Sequence, residues 1–347
     1  MNINDICLKL YSEKDATDKE LLYIIETNEN PELLFTLADK RRKEIYGTDV
    51  YIRGLIEISS YCRNNCLYCG IRKSNSNACR YRLGKEEILD CCRAGYEMGF
   101  RTFVMQGGED PYYTDGIVCD IVSSIKSEMP DCAVTLSLGE RSEESYRLMR
   151  ESGADRYLLR HETADEDHYA SLHPAEMLLA NRKKCLFDLK KLGYQVGSGF
   201  MVGSPGQRGE HLVKDIRFLQ KLSPDMIGIG PFISHKDTPF KDEPNGTLEL
   251  TVKLVAILRL MFPEALIPAT TALASIGEGG REMALRAGAN VVMPNLSPEN
   301  VRSMYSLYDN KAHSGAEAAE SLRILKETVN KCGYNVVVHR GDVRKSL

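Results

Sequence analysis

The sequence predicts an α/β chain whose main body is a complete (β/α)8 TIM barrel, with helices before it and a short extension after it. Three observations carry that expectation. Eight short apolar runs alternate with helix-length periodic stretches over about 250 residues, the span that eight strand–helix units need. Several periodic stretches end in Gly, at Met98-Gly99, Ser152-Gly153, Leu192-Gly193 and Ala287-Gly288, as helices do when the next residue must turn left-handed. A group of three cysteines follows the first apolar run directly, on the side where such barrels build their sites. An open doubly wound sheet is the alternative, because spacing does not show closure.

In chain order, residues 1–50 read as two or three helices that cap the barrel or pack beside it. Asp18 and Asn30 are the expected N-caps, the latter followed by Pro31 at the first helical position. Strands are expected at 54–59, 102–106, 133–138, 156–160, 194–200, 226–230, 266–270 and 290–293, each a short apolar run. Helices are expected at 85–98, 114–128, 142–152, 176–192, 208–221, 248–260 and 279–287. From Tyr308 onward, a helical stretch around 315–330 precedes the short apolar run Val336 to Val338, whose role the pattern leaves open. The division expected is therefore a helical segment at 1–50, the barrel at 51–307 and an extension at 308–347.

Composition narrows the function classes. With 347 residues, 43% hydrophobic and 27% charged, the chain can bury a large core and is too apolar for disorder. Forty-five basic against forty-nine acidic residues leave a net charge of -4, which gives no overall case for binding nucleic acid or an anionic membrane. The first twenty residues carry charge where a secretory signal needs an apolar core, and no later run approaches a spanning helix, so the cytoplasm is the expected location. Eleven cysteines, an odd number, argue against a disulfide framework, and most of them read as small buried hydrophobes.

Cys62, Cys66 and Cys69 are different, because they alone have ligand-like spacing. Three thiolates on one loop can hold three irons of a [4Fe–4S] cube and leave the fourth open, whereas a structural zinc takes four protein ligands. A zinc-ribbon fragment or a redox pair is the competing reading, but no fourth Cys or His lies close in sequence. After the second strand comes Gln106-Gly107-Gly108-Glu109-Asp110, where paired glycines let backbone approach a ligand closely. In the fourth strand, Arg156, Leu158, Arg160 and Glu162 alternate, so period two points them to one side. Two arginines and a carboxylate on an inward face call for an anionic or zwitterionic ligand. His161-Glu162 is not a zinc-protease motif, since His168 follows seven positions later, and His161 reads as structural. Gly197, Gly199 and Gly203 give GxGxxxG, one residue longer than the dinucleotide fingerprint, and no P-loop motif occurs.

The CxxxCxxC spacing with Tyr68 before the third cysteine resembles the signature of radical S-adenosylmethionine enzymes. More of the chain narrows this: YIRGLIEISSYCRNNCLYCGIRKSN, MQGGEDPYY, TLSLGERS, GADRYLLRHETA, GIGPFISHKDTPF, PATTA and GANVVMPN together resemble the HydE family of [FeFe]-hydrogenase maturases, from about position 30 to about 310. The resemblance implies a barrel of radical S-adenosylmethionine type. It also implies one [4Fe–4S] cluster on Cys62, Cys66 and Cys69, whose open iron chelates the amino and carboxylate groups of S-adenosylmethionine. Reductive cleavage would then give a 5′-deoxyadenosyl radical, which needs an enclosed lumen. Carried over by motif, Tyr68, Gln106, Gly107, Gly108, Glu162 and Arg182 would bind S-adenosylmethionine, with Tyr305 and Leu307 closing over it. The 194–206 glycines would pass along the adenosine, and Thr135, Arg156, Met226, Thr270, Thr271 and Met293 would surround the substrate.

That substrate would be a small organometallic synthon, an iron bound by cysteine, carbon monoxide and cyanide, supplied by a partner maturase. A flavodoxin or ferredoxin would be the reductant, and the hydrogenase assembly scaffold a further partner. Many members of the family carry a second cysteine set after the barrel, whereas YDNKAHSGAEAAESLRILKE here has none, so no second cluster is expected. Two competing functions are a radical aminomutase resembling methylornithine synthase, acting on lysine, and a non-catalytic iron–sulfur scaffold or electron carrier.

Overall fold

The computed structural model describes residues 2–29, 31–311 and 318–344. Its strands in chain order are β1 (Asp49–Ile52), β2 (Gly54–Ser59), β3 (Thr102–Gly107), β4 (Ala133–Ser137), β5 (Arg156–Leu158), β6 (Gln195–Ser198), β7 (Met201–Val202), β8 (Met226–Ile227), β9 (Gly230–Pro231), β10 (Val291–Val292) and β11 (Asn335–Val337). Six of them form one parallel sheet in the order β2-β3-β4-β5-β6-β8. Every residue of β2 is buried, the mark of a parallel strand covered on both faces. Past β8 the ladder continues as single parallel bridges: Met226 with Leu266, Pro268 with Val291, and Leu55 of β2 with Asn295.

The expected strand at 266–270 is absent, and the reason is Pro268, which has no N–H to donate to a ladder. The chain there still touches both neighbours: Ile227 N donates to Leu266 O at 3.0 Å, and Ala269 N to Val291 O at 2.9 Å. Helices Lys85–Glu97, Asp115–Glu128, Glu143–Glu151, Leu179–Lys191, Gly209–Leu222, Leu248–Met261 and Gly280–Arg286 lie between the strands. The short helices Glu166–Leu172 and Thr271–Ile276 were not foreseen. Gly99, Gly153, Gly193 and Gly288 all take positive φ, between 79° and 110°, and end their helices as expected.

Helices Ile3–Glu13, Asp18–Glu26 and Glu32–Tyr46 precede the sheet. The N-cap of the second is Thr17, not Asp18: the Glu20 carboxylate accepts from Thr17 N at 2.7 Å while Glu20 N donates to Thr17 Oγ1 at 3.3 Å. Asp18 sits inside the first turn, where its charge suits the helix dipole. Asn30 lies outside the described residues, as does part of the helix expected at 315–330, whose described portion is Ala318–Lys331. Val336 finds its role here, because β11 pairs in parallel with β1, and β1 pairs on its other edge with β10. The chain after β11 then runs beneath the sheet, where Arg340 and Asp342 meet Arg156 and Gln195. Among the described residues no helix is long and apolar enough to cross a membrane.

Candidate functional site

The loop after β2 carries the three cysteines and is tied off at its base. Ser60 Oγ donates to Cys79 O and accepts from Tyr81 N, both at 2.9 Å. Its centre is Arg80, whose guanidinium donates to the carbonyls of Ile71, Arg72 and Asn75 at 2.7 to 3.2 Å, and to that of Ser60. An arginine spent on loop carbonyls fixes the path of a segment that has no secondary structure of its own.

Cys62, Cys66 and Cys69 are free thiols at the partly open face of this loop. Burial pushes all three thiols up, Cys69 to about 12, and for Cys66 the neighbouring cysteines add to the effect. Bound iron supplies the positive charge that would hold them as thiolates. The sulfur of Cys66 lies 3.8 Å from Met177 Sδ. Among the described residues no three His, Cys, Asp or Glu side chains converge tightly enough to hold a single metal ion. A mononuclear zinc needs such convergence, whereas each thiolate of a cube binds its own iron. By chemistry and number, three cysteine thiols on one loop fit an iron–sulfur cube with one corner free of protein.

The glycine turn after β3 lies against the cysteine loop. A Cβ on Gly108 would come within 2.1 Å of Tyr61 O and 2.7 Å of Cys62 Cβ, so only glycine allows this approach. Glu109 accepts from Arg63 at 3.0 Å and from Glu140 N at 3.0 Å, which ties the turn to the loop following β4. Over the far side of the loop, Leu307 O accepts from Gly70 N at 2.9 Å, while Gln106 Nε2 donates to Tyr305 OH at 3.3 Å. Lys311 anchors this cover by donating to Tyr305 O at 2.9 Å and to the buried Glu57 carboxylate, which also accepts from Asn295 at 2.8 Å.

Tyr68, Glu162 and Arg182 meet beside Cys66. Tyr68 OH lies 3.2 Å from His173 Nε2, and burial, followed by the Glu162, Cys66 and Cys69 charges, pushes its phenol well up against the opposing pull of Arg182. Burial works against the Arg182 charge, but the phenol of Tyr169 and the carboxylates of Glu140 and Glu109 outweigh it and hold the pKa above the usual arginine range. Arg182 ion-pairs with Glu140 and donates to Arg160 O at 2.9 Å. Glu162 pairs with Arg160 at 3.0 Å and has φ 64°, left-handed backbone for a residue that is not glycine. Gly107 is the last residue of β3, and Gly199 lies against Gly228, whose carbonyl oxygen would be 2.0 Å from a Cβ there.

The inner face of the sheet is set by β5. Tyr157 packs edge-on to Tyr146 of helix Glu143–Glu151, so Arg156 and Leu158 point the other way, inward. Thr135 pairs with Arg156 in register, and Leu158 pairs with Gly197, which pairs with Met226; all share that inner face. The hydroxyls of Thr135 and Thr270 are buried there without a hydrogen-bond partner. Thr271 opens the helix Thr271–Ile276, and Met293 packs with Met226, Leu266 and Val291.

Two expectations need correcting. The alternation from Arg156 to Glu162 is not one continuous face, because β5 ends at Leu158 and Glu162 adopts left-handed backbone. Arg156 does point inward, but its donors are spent at the floor: Asp342 at 2.6 Å, Arg340 O at 2.8 Å, Thr102 Oγ1 at 3.0 Å and Gln195 at 3.3 Å. An arginine with donors to spare beside Met226 is Arg53, which the sequence reading missed. It is buried, its Nη1 lies 2.9 Å from Met226 Sδ, and its Nε and Nη2 have no partner. Burial, with the Arg156 charge beside it, pushes its pKa well down. The signal was present as a basic residue inside the mostly apolar run VYIRGLIEI, whose other charge is Glu57.

Comparison with known proteins agrees with this geometry. The Radical SAM superfamily matches residues 56–219. The [FeFe] hydrogenase maturase subunit HydE of Thermotoga maritima is 50% identical over 293 residues, covering 84% of this chain and 83% of that protein. The 3-methylornithine synthase of Methanosarcina acetivorans is 32% identical over 295 residues, covering 84% and 82%. A crystal structure of methylornithine synthase (PylB) superposes with a TM-score of 0.82 at 27% identity, covering 97% of each chain.

Proposed function

The chain belongs to the radical S-adenosylmethionine superfamily and within it to the HydE family, and on that premise we propose that it is a maturase of the [FeFe]-hydrogenase active site. Its substrate would be an iron–cysteine–carbon monoxide–cyanide synthon held inside a barrel that closes through eight units. The bridges at Leu266, Pro268 and Asn295 support that closure, with the barrel at 51–307 flanked by 1–50 and 308–347. The observation that carries the substrate reading is the group of inward polar atoms without partners, Arg53 Nε and Nη2 and the Thr135 and Thr270 hydroxyls. A buried cation with free donors suits the carboxylate or cyanide of such a synthon.

The residues divide the work by position. Cys62, Cys66 and Cys69 would hold one [4Fe–4S] cluster, and Gly108 lets the turn after β3 pack directly against their loop. With S-adenosylmethionine bound there, the loaded site supplies one-electron cleavage of a carbon–sulfur bond and a 5′-deoxyadenosyl radical. Glu162 and Arg182 would orient the nucleotide, Tyr68 would pack beside it, and Gln106, Tyr305 and Leu307 would close the entrance and keep out water. Arg53, Thr135 and Thr270 would hold the substrate, with Met226, Met293 and Thr271 shaping the space. Arg156 would support the floor rather than contact the substrate. A partner maturase would supply the synthon, a flavodoxin or ferredoxin the electron, and the assembly scaffold would receive the product in the cytoplasm; neither nucleic acid nor membrane enters this reading.

A lysine substrate fits less well. Its distal ammonium would need a free carboxylate, but the buried Glu57 is already bound by Lys311 and Asn295, and the unpaired charge nearby is a cation. The test is electron paramagnetic resonance of the reconstituted, reduced protein. Adding S-adenosylmethionine should change the cluster signal, and adding the synthon should change it again. A spectrum indifferent to S-adenosylmethionine would contradict the open corner.

A further inference from the structure

Glu162 holds a left-handed conformation that a carboxylate residue keeps only when its surroundings impose it. Behind it runs a chain of polar contacts that the proposed chemistry does not use. Ser198 Oγ donates its single proton to Leu159 O at 3.0 Å, so it must accept from His161 Nδ1 at 2.9 Å, which fixes the tautomer of that ring. The other ring nitrogen, Nε2, lies 3.3 Å from Asp215 Oδ1, and both residues are fully buried. Asp215 Oδ1 also accepts from Ala164 N at 2.5 Å, and Lys183 donates to Ala164 O at 2.9 Å.

The backbone is thus gripped at Leu159 on one side of Glu162 and at Ala164 on the other, from β6 and from helix Gly209–Leu222. The His161 ring packs against Phe200 and Phe218, with centroids 5.9 and 4.8 Å away. Burial raises the Asp215 carboxyl and lowers His161. The trio is sealed from any substrate, which excludes a hydrolytic triad and leaves a mechanical role.

We propose that Asp215, acting through His161 and Ser198, is a positioning residue that locks Glu162 in its strained backbone. This rests on the reading that Glu162 binds S-adenosylmethionine. The work of turning Glu162 toward the ligand is then done when the protein folds, not when the nucleotide binds.

The test is a double-mutant cycle on the reconstituted protein, with S-adenosylmethionine affinity by equilibrium dialysis and kcat at saturating S-adenosylmethionine. Asp215→Asn keeps only one of the two contacts at Oδ1, and Ser198→Ala breaks the chain at its other end without touching a charge. Each should weaken affinity by about 5- to 30-fold, as expected for coupled neighbours, and change kcat by less than about threefold. In a Glu162→Ala background the same substitutions should cost less than about twofold. Equal losses in both backgrounds, or no loss in either, would overturn the proposal. If Glu162→Ala alone leaves affinity unchanged, the nucleotide-binding reading itself fails, a result distinct from an additive cycle.

Discussion

Replacing Arg53 by methionine should make the protein more stable and less active at once. The side chain is buried with two guanidinium nitrogens unpartnered, and its one polar contact is the weak acceptor Met226 Sδ at 2.9 Å. Leaving buried polar groups unsatisfied costs about 1–3 kcal/mol, and methionine fills a similar volume against Met226 without that cost. The ligand-free variant should therefore gain about 1–3 kcal/mol, seen as an upward shift of roughly 2–6 °C in the thermal midpoint. Two lost hydrogen bonds from a charged donor to the substrate should cost about 3 kcal/mol or more of transition-state binding, at least about 100-fold in kcat/KM. Differential scanning calorimetry of the metal-free protein and 5′-deoxyadenosine release with the synthon read the two effects separately. A variant that melts earlier and turns over normally would refute the reasoning, because Arg53 would then be a structural residue. Opposite signs are what a binding group held in strained readiness requires.

Other substitutions give further checks. Cys66→Ala should abolish the visible absorption of the reconstituted cluster, and wild-type iron should approach about four atoms per chain; an intact four-iron spectrum in the variant would contradict the ligand assignment. Gly108→Ala should lower both cluster loading and S-adenosylmethionine binding, since its Cβ would fall 2.1 Å from Tyr61 O and 2.7 Å from Cys62 Cβ; normal loading and binding would count against the contact. The Asp342 carboxyl is held well below the usual range: burial opposes its ionisation, but Arg156 and Gln195 outweigh that. A depressed carboxyl contributes stability above its unfolded pKa, about 3.9, and loses it as pH falls through the folded value. The stability gap between wild type and Asp342→Asn, measured by urea unfolding, should therefore be constant from about pH 5 to 7 and narrow below about pH 4; a gap that widens on acidification would reverse the assignment.

The strands read most accurately from sequence are those buried on both faces, such as GLIEIS at β2, where apolar residues dominate and Glu57 is the one charge. The stretch at 266–270 looks equally apolar, yet Pro268 removes a ladder donor and leaves isolated bridges. Asp18 against Thr17 is a one-residue displacement, decided by which oxygen reaches Glu20 N. In the site, the cysteine spacing and the paired glycines are local patterns, and the chain folds them together as their order suggests. Arg156 shows where such reasoning stops: period two gives its inward direction correctly, but its counter-ion lies 186 residues later in the chain. Arg80 and Arg53 were passed over for the same reason, since one is spent on carbonyls of a loop with no periodicity and the other is defined by partners it lacks. Neither condition leaves a trace in spacing.

The most direct measurement is anaerobic turnover of the reconstituted, reduced protein with S-adenosylmethionine, run in parallel with the iron synthon and with lysine. Adenosylated product and 5′-deoxyadenosine are quantified by mass spectrometry. Consumption of S-adenosylmethionine that rises with the synthon and ignores lysine is the predicted result. Consumption driven by lysine, or none under either condition, would contradict the account.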